Sequence, residues 1–163
     1  MKMIVCVSEN FGIGNGGSLL FSLPPDMKFF RETTLNKVVV MGRSTLDSFP
    51  GGKPLKNRTN IVISRNTDFL REGAIVLHSK EDVLAYVEQF DTDDVYIIGG
   101  AQIYEMFRDE CDTAYVTKVE KEAECDKFFF DIDSDNSWKL SSQSEKMEYE
   151  GTIFSFCTYK KVI

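Results

Sequence analysis

The sequence predicts one α/β domain over residues 1–163, built on a largely parallel sheet with flanking helices and an antiparallel hairpin at the carboxyl end. Short, nearly continuous β-branched runs recur along the chain, as in strands that are buried on both faces of a parallel sheet. Helical stretches lie between several of these runs, and such alternation is typical of α/β layers. A chain of 163 residues is long enough to bury one sizeable core.

Six apolar runs predict the strands of this sheet. They lie, in chain order, at residues 3–7, 38–41, 60–63, 74–77, 95–98 and 113–119. After residue 128 the pattern changes, because Phe154, Phe156 and Tyr159 follow a turn signal at Glu150-Gly151 and no further amphipathic helix is visible. This pattern predicts the antiparallel hairpin that would finish the sheet.

The first predicted helix covers residues 24–35. Proline is well tolerated in a first helical turn, and the segment opens with Pro24. Leu23, Met27 and Phe30 share one face, which we expect to pack against the sheet.

Two shorter helices are predicted further along the chain. One starts after Ser79, in a segment that fits a loose capping box, and the other follows Gly99-Gly100. The acidic segment 131–135, which lies outside the predicted helices and strands, is interpreted as a solvated loop.

Composition and charge argue against several classes of function. Nineteen Lys and Arg against 26 Asp and Glu give a net charge of −7, whereas proteins that bind nucleic-acid phosphates are usually basic, so no nucleic-acid partner is expected. The four cysteines form no CxxC pair and His78 is the one histidine, so no metal site is expected. Neither a signal peptide nor a run of about 18 apolar residues is visible, so we expect a cytoplasmic protein that does not enter a membrane.

Residues 12–17, Gly-Ile-Gly-Asn-Gly-Gly, match the GxGxxG pattern but are not expected to form a dinucleotide fingerprint. That fingerprint needs a helix that opens at the glycines, and here the chain runs into Pro24-Pro25 instead. Two interpretations remain open. The segment is either a mobile lid that lays Leu19, Leu20 and Phe21 over a ligand, or an ordinary surface connection.

Asp26 lies in the first turn of the first predicted helix. A carboxylate there interacts favourably with the positive helix end, which explains most aspartates at such positions. Its neighbours Met27 and Phe30 are apolar, however, and would desolvate it. Desolvation raises a carboxyl pKa and suits the group to proton donation or to holding a cationic group. The structural and the functional role both remain open at this point.

Polar side chains follow two neighbouring predicted strands. Arg43, Ser44 and Thr45 come directly after the second strand, and Ser64 and Arg65 come after the third. In open α/β sheets, ligands bind at the carboxyl ends of the strands. Guanidinium and hydroxyl groups suit anions, and the glycine pair after the fifth strand lets a ligand approach the backbone. Together these turns predict a nucleotide cleft.

Taken in order, these residues resemble the dihydrofolate reductase family from Met3 to Thr117. The matching motifs are Ile13-Gly14, Leu23-Pro24-Pro25-Asp26 with Phe30, Met41-Gly42-Arg43 with Thr45, Pro54-Leu55 with Arg58, Ile98-Gly99-Gly100 with Tyr104, and Thr117. The resemblance implies a mostly parallel sheet of about eight strands. It also implies a cytoplasmic monomer and antifolate target that transfers a hydride from NADPH to dihydrofolate. The product, tetrahydrofolate, would supply one-carbon and thymidylate metabolism.

The resemblance also assigns roles to residues. The catalytic pair would be Asp26, which holds the aminopyrimidine edge of the pterin and promotes protonation, and Thr117, which hydrogen-bonds nearby. Arg58 would pair with the glutamate carboxylate. The other residues expected to bind substrate are Ile4, Val5, Met27, Phe30, Phe49, Leu55, Ile98 and Tyr104. The residues expected to bind the cofactor are Cys6, Ile13, Gly14, Leu19, Gly42, Arg43, Ser44, Thr45, Ile63, Ser64, Arg65, His78, Ile98, Gly99, Gly100, Ala101, Gln102, Ile103 and Tyr104.

One position departs from the family pattern. The family usually has a tryptophan shortly before the Leu-Pro pair, and this chain has Phe21 there. Phenylalanine cannot hold an ordered water by hydrogen bonding, which affects the expected proton route. Two rival functions remain open. The first is a same-fold NADPH reductase of riboflavin synthesis, against which Asp26 and Arg58 argue, and the second is a binding module without turnover.

Overall fold

The structure is a computed structural model that describes residues 1–162. Its helices and strands follow one another in an order close to the predicted one. In chain order they are β1 (Lys2–Val7), β2 (Gly12–Asn15), β3 (Ser18–Leu19), α1 (Pro24–Thr34), β4 (Val38–Gly42), α2 (Arg43–Ser48), β5 (Thr59–Ile63), β6 (Ala74–Leu77), α3 (Lys80–Val87), β7 (Val95–Gly99), α4 (Ala101–Phe107), β8 (Thr113–Val119), β9 (Lys127–Phe128), β10 (Trp138–Gln143), β11 (Met147–Tyr149) and β12 (Thr152–Lys161).

A mixed sheet runs through the molecule in the order β10-β12-β8-β1-β7-β4-β5-β6. The six strands from β8 to β6 in this order pair in parallel, since helices or long connections return the chain to the same edge each time. β12 runs antiparallel to β8, and β10 and β11 both pair with β12. The largely parallel sheet and its antiparallel carboxyl-terminal hairpin are therefore confirmed.

Helices cover both faces of the sheet. On one face, Phe30 of α1 and Leu46 of α2 pack in a cluster with Met41 of β4. On the other face, Val83 of α3 and Phe107 of α4 pack in a larger cluster that includes alternate residues of the same strands. Because the central strands are buried on both faces, their sequences form continuous apolar runs.

α1 begins and ends close to the predicted residues, but its buried face differs from the prediction. Leu23 is buried, whereas the side chain of Met27 is 58% exposed. Phe30 packs against the sheet as predicted, but Phe29 rather than Met27 lies beside it, and the ring of Phe29 stacks on that of Phe156 at a centroid distance of 4.6 Å. The prediction that Met27 packs against the sheet is therefore wrong.

The glycine-rich segment is more regular than the predicted loop. β2 pairs with β3 and also with β9, so the segment is the middle of a small three-stranded sheet. The backbone N–H of Asp126 donates to the Gly14 carbonyl at 3.0 Å, which ties the two segments together. Gly12 approaches Cys125 so closely that a Cβ at position 12 would collide with the Cys125 Sγ. Glycine at position 12 is thus required by packing.

The acidic segment 131–135 is a turn whose residues are mostly exposed, as the predicted solvated loop requires, but it also makes specific contacts with the rest of the chain. Asp133 accepts hydrogen bonds from the Tyr159 hydroxyl at 2.5 Å and from the Lys118 ammonium at 2.6 Å. Asp135 forms an ion pair with Arg108, and the side chain of Ile132, in the same segment, is fully buried. The partners come from distant parts of the chain, so composition alone did not reveal them.

Across residues 1–162, none of the helices has the length and apolar content needed to span a membrane. In the same part of the chain, no group of three or more His, Cys, Asp or Glu side chains is arranged to hold a metal ion. All four cysteines are free thiols, and Cys111 and Cys157 are buried.

Candidate active site

Asp26 and Thr117 contact each other where α1 packs against the sheet. The Thr117 hydroxyl donates a hydrogen bond to Asp26 Oδ1 at 2.6 Å, although the residues are 91 positions apart. Thr117 is 2% exposed, so the contact is largely protected from water. The two residues that the sequence singled out for chemistry therefore form one unit.

Cys6 lies on the same side of the sheet as Thr117. The two are register partners on β1 and β8, and partners across a sheet project to the same face. Burial raises the pKa of Asp26, and hydrogen bonds from Thr117 and from the Cys6 thiol partly offset this, so that the net pKa lies above its ordinary value. Burial and the nearby Asp26 charge raise the pKa of Cys6, which therefore remains a protonated thiol.

An apolar cluster adjoins this unit. Ile4 and Ile98 are buried in it, and Phe30, Phe49 and Leu55 pack against it while remaining partly exposed. These are five of the residues expected to contact substrate, and the fold brings them to one face of the sheet. Partly exposed apolar side chains around a single carboxyl are the usual composition of a small-molecule site.

Val5 and Tyr104 reach this region in a different way from that expected. The Val5 side chain packs in the cluster on the opposite face, because side chains alternate along a strand. A contact between Val5 and substrate would therefore involve its backbone. Tyr104 is also buried in the opposite cluster, and its hydroxyl donates to the Ile4 carbonyl at 2.7 Å.

Arg58 is held by α1 and by its own loop. Its Nε donates to Thr34 Oγ1 at 3.2 Å, and its two terminal nitrogens donate to the carbonyls of Lys56 at 2.8 Å and Arg31 at 3.3 Å. Partial burial and the neighbouring Arg31 charge lower the pKa of Arg58. A guanidinium still remains charged at neutral pH, because its ordinary pKa is above about 12.

The sequence analysis missed two residues in this region. Asn60 is 3% exposed and bonds through its side chain to the backbone of Leu55 and Arg58. Thr34 is fully buried and accepts from Arg58. One signal was available for Asn60, since an amide within an otherwise apolar strand is unusual unless its hydrogen bonds are satisfied.

The turns after β4 and β5 carry the predicted anion-binding side chains. Arg43 and Arg65 are exposed, and the Arg43 guanidinium lies over the Phe69 ring at 4.3 Å from its centroid. At the end of β5, Ser64 is nearly buried and its carbonyl lies 2.8 Å from His78 Nδ1. Because these parallel strands end at the same edge of the sheet, the side chains line one border.

The Gly99-Gly100 turn completes this border. Gly99 has φ +118°, and a Cβ there would lie 3.2 Å from the Tyr104 ring. A Cβ at Gly100 would point at Thr45 Oγ1, 3.7 Å away, so the turns after β4 and β7 face each other. Other residues expected at the cofactor lie at these strand ends or in α4, namely Gly42, Ile63, Ala101, Gln102 and Ile103. Ile13, Gly14 and Leu19 lie in the β2–β3 hairpin.

Comparison with known proteins decides the family. The family model described as dihydrofolate reductase matches residues 1–161. The chain belongs to the dihydrofolate reductase family.

Relatives in this family match over nearly their whole length. The dihydrofolate reductase of Neisseria meningitidis is 37% identical over 98% of this chain and 96% of its own. That of Bacillus subtilis is 34% identical over 99% and 94%, respectively. The solved dihydrofolate reductase from Enterococcus faecalis, complexed with NADP(H) and RAB-propyl, superposes with a TM-score of 0.89 at 33% identity, covering 99% of this chain and 96% of that one.

The border residues of this member of the family fit a nicotinamide adenine dinucleotide phosphate. Exposed guanidinium groups and hydroxyls at the strand ends provide donors for phosphates. The positive φ at Gly99 and the space between Gly100 and Thr45 allow a ligand to approach the backbone where a Cβ would obstruct it. Phe21, which stands where the family usually has a tryptophan, packs against the buried cluster that contains Leu23 and offers no hydrogen-bond donor from its ring.

Proposed function

We propose that this protein reduces 7,8-dihydrofolate to 5,6,7,8-tetrahydrofolate with NADPH, and that Asp26 promotes protonation of the substrate. The observation that carries the proposal is the partly buried Asp26 carboxyl, held by Thr117 at 2.6 Å beside an apolar wall. The family match and the relatives named dihydrofolate reductase support the reaction. The NADP(H) complex of the Enterococcus faecalis relative supports the cofactor.

Asp26 has two roles in this mechanism: it binds the pterin ring, and it supplies a proton. Thr117 bonds one carboxyl oxygen, which fixes the carboxyl plane and directs it at the pterin's amino and ring N–H groups. Because burial raises the pKa of Asp26, the carboxyl holds a proton at higher pH than an exposed aspartate does. This proton reservoir favours addition of a proton to the pterin ring nitrogen next to the carbon that is reduced.

The other side chains of the substrate region orient the molecule and exclude water. Ile4, Phe30, Phe49, Leu55 and Ile98 form an apolar wall for the pterin and benzoyl rings. Arg58 pairs with the glutamate carboxylate, at the far end of the substrate from Asp26. Water exclusion strengthens the electrostatic action of the single carboxyl.

The polar border holds the cofactor. NADPH supplies the hydride when bound, so the protein's task is to position it and to exclude competing reactions. Arg43, Ser44, Thr45, Ser64 and Arg65 would hold its phosphates, and residues 100–104, after the glycine turn, would hold its pyrophosphate and nicotinamide end. His78 contributes a surface polar contact near the adenosine.

We also infer that residues 1–163 act as one functional domain, as a monomer, in the cytoplasm. Strands from both ends of the chain, Lys2–Val7 and Thr152–Lys161, join the same sheet, which supports one domain. Four free thiols suit a reducing compartment. Analytical ultracentrifugation at micromolar concentration tests the oligomeric state, and we expect it to give the monomer mass of 18.6 kDa.

The decisive test of the reaction is the loss of reduced-nicotinamide absorbance after dihydrofolate is added to protein and NADPH. We expect loss that requires both dihydrofolate and protein, with tetrahydrofolate as product. Tight NADPH binding without such loss would favour the binding module instead. Turnover with an aminopyrimidine of riboflavin synthesis, but none with dihydrofolate, would favour the same-fold rival.

A further inference from the structure

Two buried polar side chains, Thr34 and Asn60, converge on Arg58. Thr34 lies in the last turn of α1, donates to the Phe30 carbonyl at 2.8 Å and accepts from Arg58 Nε at 3.2 Å. Asn60 lies in β5, and its amide donates to the Arg58 carbonyl at 3.2 Å. One residue therefore holds the side chain of Arg58, and the other holds its backbone.

Asn60 also shapes the loop that carries Arg58. Its Oδ1 accepts from the Leu55 N–H at 3.0 Å, and its Nδ2 donates to the Leu55 carbonyl at 2.9 Å. Through these two bonds and the bond to Arg58, the side chain of Asn60 ties both ends of the loop 55–58 to β5. A loop fixed in this way loses little conformational freedom when a ligand binds.

The remaining donors of Arg58 match a carboxylate. A guanidinium has five N–H groups, and among residues 1–162 three of them donate to Thr34, Lys56 and Arg31. This arrangement leaves one N–H on each terminal nitrogen. Two parallel N–H groups are what a bidentate pair with a carboxylate needs. Of the three bonds, the one from Nε to Thr34 is made to a side chain, and it restricts rotation of the guanidinium plane together with the two bonds to carbonyls.

We propose that Thr34 and Asn60 are positioning residues that pre-organise Arg58 for the terminal carboxylate of the substrate. Neither residue contacts the substrate; both act through Arg58. The proposal rests on the proposed function, because that function supplies the carboxylate. It predicts that the selectivity for a glutamate tail depends on a buried hydroxyl in α1.

The experiment compares two ligands that differ only in the glutamate. Folate carries it and pteroate lacks it, and the dissociation constants of both are measured by calorimetry on the wild type, Thr34→Val and Thr34→Ser. We expect Thr34→Val to weaken folate binding about tenfold, because the guanidinium loses its fixed orientation, while pteroate binding stays unchanged. Thr34→Ser keeps the hydroxyl and should restore the preference for folate.

Thr33→Val, a substitution at the adjacent threonine, is the matched control and should leave both constants unchanged. If Thr34→Val unfolds, Thr34→Ala removes the same hydroxyl without adding bulk, and thermal unfolding verifies that the variants fold. A Thr34→Val or Thr34→Ala variant that keeps the wild-type ratio of the two constants overturns the proposal. A wild type that binds folate and pteroate equally overturns the role of Arg58 itself and, with it, this part of the proposed function.

Discussion

The substrate side and the cofactor side of the site are built differently. The substrate side comprises α1, β1, β8 and residues 55–58, and its polar groups contact one another across long sequence distances, as in the 91-residue separation of Asp26 and Thr117. The cofactor side comprises the turns after β4, β5 and β7. Its side chains, such as Arg43 and Arg65, are exposed and follow their strands directly in the sequence.

This difference indicates how each side responds to substitution. Groups that share hydrogen bonds in a buried network do not act independently, so one change on the substrate side alters its neighbours. Exposed anchors that bind separate parts of a ligand act more nearly additively. We therefore expect large and coupled effects on the substrate side, and moderate and separable effects on the cofactor side.

Asp26→Asn should give the largest effect. It removes the proton that the carboxyl supplies, and we expect hydride transfer at pH 7 to fall about 100-fold or more, as general acid–base groups typically contribute. The loss should be smaller in acid, where substrate is protonated from solution. Single-turnover absorbance measurements at several pH values test this.

Glu32→Gln is the matched control for Asp26→Asn. Glu32 lies in the same helix, and its exposed carboxylate pairs only weakly with Lys28, at 3.9 Å. Its removal should leave the rate unchanged. Wild-type rates in Asp26→Asn at neutral pH would show that the buried network does not carry the chemistry.

On the cofactor side, Arg43→Gln and Arg65→Gln should each raise the KM for NADPH about tenfold, because each removes a charged hydrogen bond to phosphate. The double variant should show roughly the product of the two effects. The KM for NADH should change less, because NADH lacks the additional phosphate that we expect these arginines to recognise and for which the wild type should prefer NADPH. Lys139→Gln, at an exposed position of β10, serves as control, and strong non-additivity would contradict the picture of separate anchors.

Cys6→Ala should shift the pKa of Asp26 upward. The Cys6 thiol stabilises the charged carboxylate by hydrogen bonding, so its removal favours the protonated form. Because the protonated carboxyl is lost as the pH rises through this pKa, the alkaline limb of the pH–rate profile moves to higher pH by the same amount. Carbon-detected NMR titration of the Asp26 carboxyl measures the shift directly, and Cys6→Ser should keep the pKa near that of the wild type. An identical pKa in Cys6→Ala and wild type would remove Cys6 from the network.

The smallest effect concerns stability. The pKa of Asp26 is higher in the folded protein than in the unfolded chain, so folding disfavours the charged form. This penalty is absent below the pKa that Asp26 has in the unfolded chain. It develops as the pH rises to and through the higher pKa that Asp26 has in the folded protein. Asp26→Asn, which cannot ionise, should therefore gain stability relative to wild type as the pH is raised, by on the order of 1 kcal/mol. Urea unfolding at pH 3.5 and pH 8 tests the sign, and a gain confined to acid would contradict it.

Local sequence was sufficient wherever a structural signal is short-ranged. The strands at residues 74–77 and 113–119 have the predicted bounds, and the Ser79 hydroxyl accepts from the Asp82 N–H as the capping pattern indicated. The anion-binding turns were visible because each places its polar residues directly after an apolar run. The motifs also sufficed to place the chain in its family.

Other features depended on partners that the sequence does not show. Met27 was expected to share the buried face with Phe30 and is exposed, because the orientation of α1 places Phe29 beside Phe30 on the sheet. The acidic segment 131–135 is largely exposed, as expected of a solvated loop, but its ion pairs with Lys118 and Arg108 were not visible in the sequence. Burial and pairing of a side chain depend on what packs against it, and periodicity reports only which side chains share a face.

By itself, the sequence determined the fold class, the family and the residue types at the site, because these follow from periodicity, turn chemistry and ordered motifs. Tertiary structure alone decided which groups act together. Cys6 meets Asp26 because β1 and β8 pair in a particular register, and Thr34 and Asn60 meet Arg58 because α1 and β5 pack on either side of one loop. Register and helix packing are set by the whole core, so no local pattern in the sequence records them.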